Sequence, residues 1–259
     1  MNYKVLQGRT ALITGASQGI GLACALILAE AGARVVITAL VESELEAARC
    51  EITDRIAGAE VEMLVADACN DDDSEAAVEY ASSFTGQLDI LVTTVGGHRL
   101  TKIVDETPTT VRELFELNFM SMFMAVHYAL PKMQRNASIV CISTTGVTLA
   151  YKGLGIYASA KAALERFVKA TAYELGSEGI RINAVRPGVT LSQDAIDKLG
   201  VQTMVDKLTP QVPLGRIGEP NDIAQVVRFL AGPESSYVTG QIFSADGGQD
   251  QCRAPEFIE

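Results

Sequence analysis

The chain has 259 residues, 48% apolar and 20% charged, with a net charge of −11. That is enough apolar material for one large α/β core, and nothing in it reads as disordered or low-complexity. The acidic excess argues against a nucleic-acid partner, and no apolar run approaches the ~20 residues a membrane span needs.

β-branched apolar runs alternate with helical patterns from the start. A strand is expected at Thr10–Thr14, then a glycine-rich turn and a helix over Ile20–Ala31. Strand Arg34–Ala39, helix Glu42–Ala57, strand Val61–Ala66 and helix Asp72–Phe84 follow. Strand Asp89–Thr94 leads into one long helix, Thr110–Gln134, and strand Ser138–Ser143 into helix Tyr157–Ser177. After strand Arg181–Arg186 and Pro187-Gly188, a polar excursion runs from Val189 to Gly218, with a short helix near Asp194–Leu208. Helix Pro220–Ala231 and strand Gln241–Ala245 close the pattern.

This alternation predicts a single doubly wound, Rossmann-like α/β domain over residues 1–259, a seven-stranded parallel sheet with helices on both faces. The excursion follows a strand's carboxyl end, which suggests a lid beside a site. Its Leu191, Ile196, Leu199, Met204, Val205 and Leu208 either line an apolar pocket or form the buried face of the short helix.

The five cysteines (Cys24, Cys50, Cys69, Cys141 and Cys252) are scattered with no C-x-x-C pair and read as free thiols of a reduced, cytoplasmic protein. Met1 to Arg9 carries no apolar signal core, in keeping with that location. Two histidines, His98 and His127, leave little for a zinc site or a Ser-His-Asp triad, so no metal is expected.

The turn Thr14-Gly15-Ala-Ser-Gln-Gly19-Ile-Gly21 follows a strand and opens a helix. Gly15 permits the tight turn, Gly19 lets the backbone approach a pyrophosphate, and Gly21 allows close packing of helix on strand. The helix N-terminus offers free N–H groups and a positive dipole end. Gly15, Ser17, Gln18, Gly19, Ile20 and Gly21 are therefore expected to surround a dinucleotide's phosphates.

The spacing is T-G-x-x-x-G-x-G, and further markers follow in order: Asp67, Asn118, Tyr157-Ala-Ser-Ala-Lys161, Asn183-Ala-Val-Arg-Pro187-Gly188, Arg216-Ile-Gly218-Glu-Pro220, Thr239-Gly240 and Asp246-Gly247-Gly248. From Thr10 to about Gly248 the sequence resembles the short-chain dehydrogenase/reductase family, in particular its 3-oxoacyl-reductase-like members. The resemblance implies hydride transfer between NAD or NADP and a ketone or secondary alcohol. Tyr157 and Lys161, four apart on a predicted helix, share one face. An ammonium beside a phenol eases its ionisation, which makes Tyr157 a general acid for reduction and a general base for oxidation. The resemblance adds that Lys161 holds the nicotinamide ribose and that Asn118 supports a water-linked proton path. A hydroxyl for the substrate oxygen falls by spacing on Thr144 instead of the usual serine, with Ser143 taking the role if the loop slips by one residue.

A second departure is Thr93-Thr94-Val95-Gly96, where the family shows Asn-Asn-Ala-Gly; Gly96 still lets the backbone pass close to the cofactor ribose. Asp67 and Ala68 match adenine contacts, and Pro187, Gly188, Thr190 and Ser192 match nicotinamide-side contacts. Dinucleotide choice usually falls at the end of the second strand, where an acid binds the NAD ribose diol and a base welcomes the NADP phosphate. Here Ala39, Leu40 and Gln18 are all neutral, which tilts the balance only slightly to NADP. The resemblance also implies a homotetramer or homodimer. The competing reading is a non-catalytic dinucleotide-binding scaffold or sensor; the chain is short for a sugar-nucleotide epimerase.

Overall fold

The computed structural model describes residues 4–251. Among these, seven strands form one parallel sheet: β1 (Thr10–Thr14), β2 (Arg34–Ala39), β3 (Val61–Val65), β4 (Ile90–Thr93), β5 (Ser138–Ile142), β6 (Arg181–Pro187) and β7 (Ile242–Ala245). The spatial order is β3-β2-β1-β4-β5-β6-β7. Helices α1 (Gly19–Glu30), α2 (Glu42–Arg55), α3 (Asp71–Ser83), α4 (Pro108–Phe115), α5 (Ser121–Ala129), α6 (Gly155–Leu175), α7 (Gln193–Leu199), α8 (Gln202–Leu208) and α9 (Pro220–Ala231) connect them.

The five inner strands, β2, β1, β4, β5 and β6, are buried on both faces, so their successive residues feed two separate cores. Ala11, Ile13, Val35, Ile37, Val140 and Ile142 join the core under α1 and α9. Leu12, Val36, Leu91, Ile139 and Cys141 point the other way, into the core shared with α3, α5 and α6. The winding reverses between β1 and β4, and at such a switch point the crevice opens at the strands' carboxyl ends.

Two expected elements are corrected. The single helix expected over Thr110–Gln134 is three pieces: α4, a wide π turn at Glu116–Met120 that contains Asn118, and α5. No glycine, proline or side-chain cap marks the wide turn Glu116–Met120 in the sequence. The short helix expected near Asp194–Leu208 is two helices, because Gly200 adopts φ +63° and ends α7. Ile196 and Val205 pack with Ile217 in a small satellite core, whereas Leu199 and Met204 point outward. The excursion is closed at its base: Leu191 N–H donates to Gly218 O and Gly218 N–H to Val189 O, at 3.0 and 2.9 Å.

Cys24 and Cys141 are buried free thiols; Cys252 lies outside the described residues. No described helix is long and apolar enough to cross a membrane, and no group of three or more described His, Cys, Asp or Glu side chains is placed to hold a metal.

Among the described residues, one buried side-chain oxygen of the sheet lacks a hydrogen bond of ordinary geometry and faces only a thiol. It is Thr93 Oγ1, and its cross-strand neighbour is Cys141, whose thiol is only a weak donor. Thr93→Val removes that hydroxyl while keeping the shape. We expect it to raise unfolding free energy by about 0.5–1 kcal/mol, read as a higher denaturant midpoint at unchanged slope.

Candidate active site

The phosphate turn leaves β1 at the sheet's carboxyl edge. Gly15 adopts φ +71°. Gly21 packs so tightly that a Cβ there would sit 2.3 Å from Gly15 O, while a Cβ on Gly19 would meet nothing within 4 Å. The turn is thus closed on its inner side and open on its outer side. Helix α1 begins at Gly19 with no side-chain cap on its N–H groups and no acid in its first turn. Those donors and the dipole end remain free for an anion. Gln18 is exposed and Ile20 half-buried, while the Ser17 hydroxyl donates to Glu44 Oε2 of α2 at 3.2 Å.

Thr94 Oγ1 donates to the carbonyls of Thr14 and Gly15 at 2.6 and 3.1 Å. A threonine therefore ties β4 to the phosphate turn at this departure from the family pattern. The chain then passes through Gly96, where a Cβ would lie 2.8 Å from Asn118 Oδ1 and 3.0 Å from Lys161 Nζ. Asn118 clamps the next residue at both ends. Its Oδ1 accepts from Gly97 N–H at 3.1 Å, and its Nδ2 donates to Gly97 O at 2.8 Å and Leu114 O at 2.9 Å.

Tyr157 and Lys161 lie in the first turns of α6. Lys161 is buried and its Nζ donates to Ile142 O at 2.9 Å. Thr144 and Ser143 diverge. The Ser143 hydroxyl donates to Glu165 Oε1 of α6 at 2.7 Å, and Glu165 also pairs in two-point fashion with Arg186 of β6, at 2.6 and 2.5 Å. The Thr144 hydroxyl accepts from Gly146 N–H at 3.1 Å.

Burial raises the Tyr157 phenol above its ordinary value, and the Thr144 hydrogen bond pulls it partly back. The group that eases ionisation of the phenol here is the Thr144 hydroxyl, while the Lys161 ammonium is held by Ile142 O. Burial lowers Lys161 itself to about 8. A lysine depressed in the folded state binds fewer protons than in the unfolded chain between pH 8 and its ordinary value, so its cost to stability is relieved as pH rises through that window. The unfolding free energy of the wild type should therefore gain on that of Lys161→Met by about 1–2 kcal/mol between pH 8 and 10. Urea titrations of both proteins check this, and parallel pH curves would refute it.

The remaining expected residues line the same edge. Ala39 is half-buried and Leu40 exposed after β2; Asp67 and Ala68 follow β3, with Asp67 Oδ1 accepting from Cys69 N–H at 2.9 Å. Pro187 ends β6; Thr190 Oγ1 donates to Gly188 O at 2.9 Å, and Ser192 caps α7 by accepting from Ala195 N–H at 3.2 Å.

A family model described as Enoyl-(Acyl carrier protein) reductase matches residues 15–250. A short-chain dehydrogenase/reductase from Serratia marcescens superposes with a TM-score of 0.88 at 33% identity, covering 95% of this chain and 99% of that one. The chain belongs to the short-chain dehydrogenase/reductase family. It is 34% identical over 247 residues to 7alpha-hydroxysteroid dehydrogenase of Escherichia coli, with 94% of each chain covered. It is also 34% identical over 245 residues to a 3-oxoacyl-[acyl-carrier-protein] reductase of Vibrio cholerae, covering 94% of this chain and 98% of the relative.

Three features of this short-chain dehydrogenase/reductase escaped the sequence reading. The His98 ring lies 5.7 Å from the Tyr157 ring. Glu165 and Arg186 form the buried pair behind Ser143. Gln249 joins the last loop to the site, donating to Tyr151 Oη at 2.9 Å and accepting from Val189 N–H at 3.2 Å. His98 and Gln249 stand in loops, outside any periodic pattern. Only the charge of Glu165, on the apolar side of a helix pattern, hinted at a buried partner.

Proposed function

We propose that the protein is an NAD(P)-dependent oxidoreductase interconverting a ketone and a secondary alcohol, with Tyr157 as general acid and base. The observation that carries this reading is the placement of Tyr157 and buried Lys161 in the first turns of α6, with Thr144 just past the end of β5, at the sheet edge where the phosphate turn opens. Two of the relatives' names, a hydroxysteroid dehydrogenase and a 3-oxoacyl reductase, describe that same interconversion.

The turn fits a dinucleotide, since α1 presents uncapped N–H groups and Gly19 faces open space. When bound, the dinucleotide supplies or accepts the hydride. Gly15 and Ser17 to Gly21 hold its phosphates, Asp67 and Ala68 its adenine end, and Lys161 its nicotinamide ribose, with Pro187, Gly188, Thr190 and Ser192 beyond. In reduction, Tyr157 Oη passes its proton to the carbonyl oxygen, and Thr144 Oγ1 donates a hydrogen bond to that same oxygen. In oxidation, the phenolate takes the alcohol proton. The raised phenol keeps its proton at neutral pH, which suits the reductive direction. Asn118 holds the loop after β4 over this group through Gly97.

The slight tilt to NADP read from Ala39, Leu40 and Gln18 is opposed by Glu44. Its carboxylate is drawn to the phosphate turn by Ser17, and it works against a 2′-phosphate. We therefore expect NAD to raise Tm more than NADP at equal concentration, and Glu44→Lys to improve NADP binding by about tenfold. A thermal-shift titration reads both; tighter NADP binding by the wild type would reverse this choice. Turnover of reduced cofactor over a panel of ketones tests the reaction itself, and binding without turnover would place the chain in the scaffold class.

A further inference from the structure

The loops after β4 and β5 meet at one end of the cleft, where Thr101 N–H donates to Gly153 O at 3.1 Å. Between them lies a cavity of about 290 Å³ whose lining includes Lys102, Ile103, Glu106, Tyr151, Lys152 and Ile156. Ile156 directly precedes Tyr157, and His98 of the first loop packs against the Tyr157 ring. Cavity and phenol therefore share the same two loops.

Charge here runs against the rest of the molecule. The chain carries −11 overall, yet Arg99, Lys102 and Lys152 are exposed and gather at this end. None of the three enters an ion pair among the described residues. Of the two nearby acids, Glu106 accepts a hydrogen bond from Thr110 Oγ1 at 2.6 Å, and Asp105 is exposed on the turn Ile103–Asp105. Beside the cations, Leu100, Ile103 and Val104 are 72%, 73% and 80% exposed. Unpaired ammonium groups next to exposed aliphatic surface match a ligand with an anionic head and an apolar body.

We propose that this cavity is the anion subsite of the substrate cleft and that the substrate is an amphiphilic keto acid or hydroxy acid. Lys102 and Lys152 hold its carboxylate, Ile103 and Ile156 pack its aliphatic body, and the reacting carbon lies at Tyr157. The assignment rests on the hydride-transfer reading above.

The test compares aliphatic keto acids of graded chain length with their methyl esters, using wild-type protein and reduced cofactor. The acids should exceed the esters in kcat/KM by about tenfold or more at low salt, and the preference should shrink as ionic strength rises. Joint substitution Lys102→Gln and Lys152→Gln should bring the ratio close to one. Lys4→Gln, at the amino end of the sheet, should keep it. Esters turned over as well as acids, or a preference that survives the joint substitution, would overturn the subsite. Absence of Tyr157-dependent turnover of both acids and esters would instead overturn hydride transfer. Calorimetric titration of the same acids then decides the subsite: binding lost in the joint variant supports it, and binding absent or unchanged overturns it.

Discussion

Tyr157→Phe is expected to lower kcat by about 10²–10⁴-fold, the range a positioned proton donor contributes. The substitution removes one oxygen and nothing else. The ring remains to pack against His98, and Lys161 keeps its bond to Ile142 O. The phosphate turn, fastened by Thr94, is untouched, so cofactor-induced thermal stabilisation should match the wild type. What disappears is the proton that Tyr157 Oη delivers. Steady-state turnover paired with a cofactor thermal shift separates chemistry from binding. A variant retaining turnover within about threefold would remove Tyr157 from the reaction. Because burial raises the phenol, alcohol oxidation by the wild type should also quicken as pH rises above neutrality, whereas ketone reduction should not.

Arg186→Met should cause the largest loss of stability. Glu165 has only 7% of its side chain exposed, and its carboxylate is met by Arg186 from β6 and Ser143 from the end of β5. Removing the guanidinium leaves a buried charge with one neutral donor, at a cost of about 3–5 kcal/mol. Arg186 keeps 18% exposure, so water reaches the vacated space and the low end of that range is expected. At this chain length that means a fall in Tm of about 6–12 °C. Adding Glu165→Leu should restore much of the loss, since a pair replaced together leaves no orphaned charge. If the single variant unfolds within about 1 kcal/mol of the wild type, the pair contributes no more than a surface one. Kinetics of the same variants report on Thr144, whose direction depends on Ser143 staying anchored beneath Glu165.

The elements and their order were legible because both signals are local. β-branched runs of five or six residues mark strands buried on two faces, and the period of 3.6 marks helices between them. The phosphate turn was legible for the same reason: Gly15, Gly19 and Gly21 are required by backbone geometry within eight residues of chain. Positions ±1 at strand ends, the π turn around Asn118 and the break at Gly200 were not: no breaker residue marks the π turn, and a lone glycine inside a helical pattern does not by itself end the helix.

Pairings between distant segments depended on tertiary structure. Sequence spacing favoured Thr144 over Ser143, but only the fold shows why the two hydroxyls part: Glu165, 22 positions beyond Ser143, accepts from the Ser143 hydroxyl, and Arg186, 43 positions beyond it, holds Glu165 in place. Sequence likewise set Lys161 four residues from Tyr157 and led to an expected ammonium–phenol interaction. Packing buried both groups and directed the ammonium to Ile142 O, so desolvation outweighs charge at the phenol. The residue types needed for a dinucleotide and a proton donor were present in the sequence itself. Which hydroxyl faces which partner, and which groups carry charge, follows from burial and long-range contact, which a one-dimensional pattern does not encode.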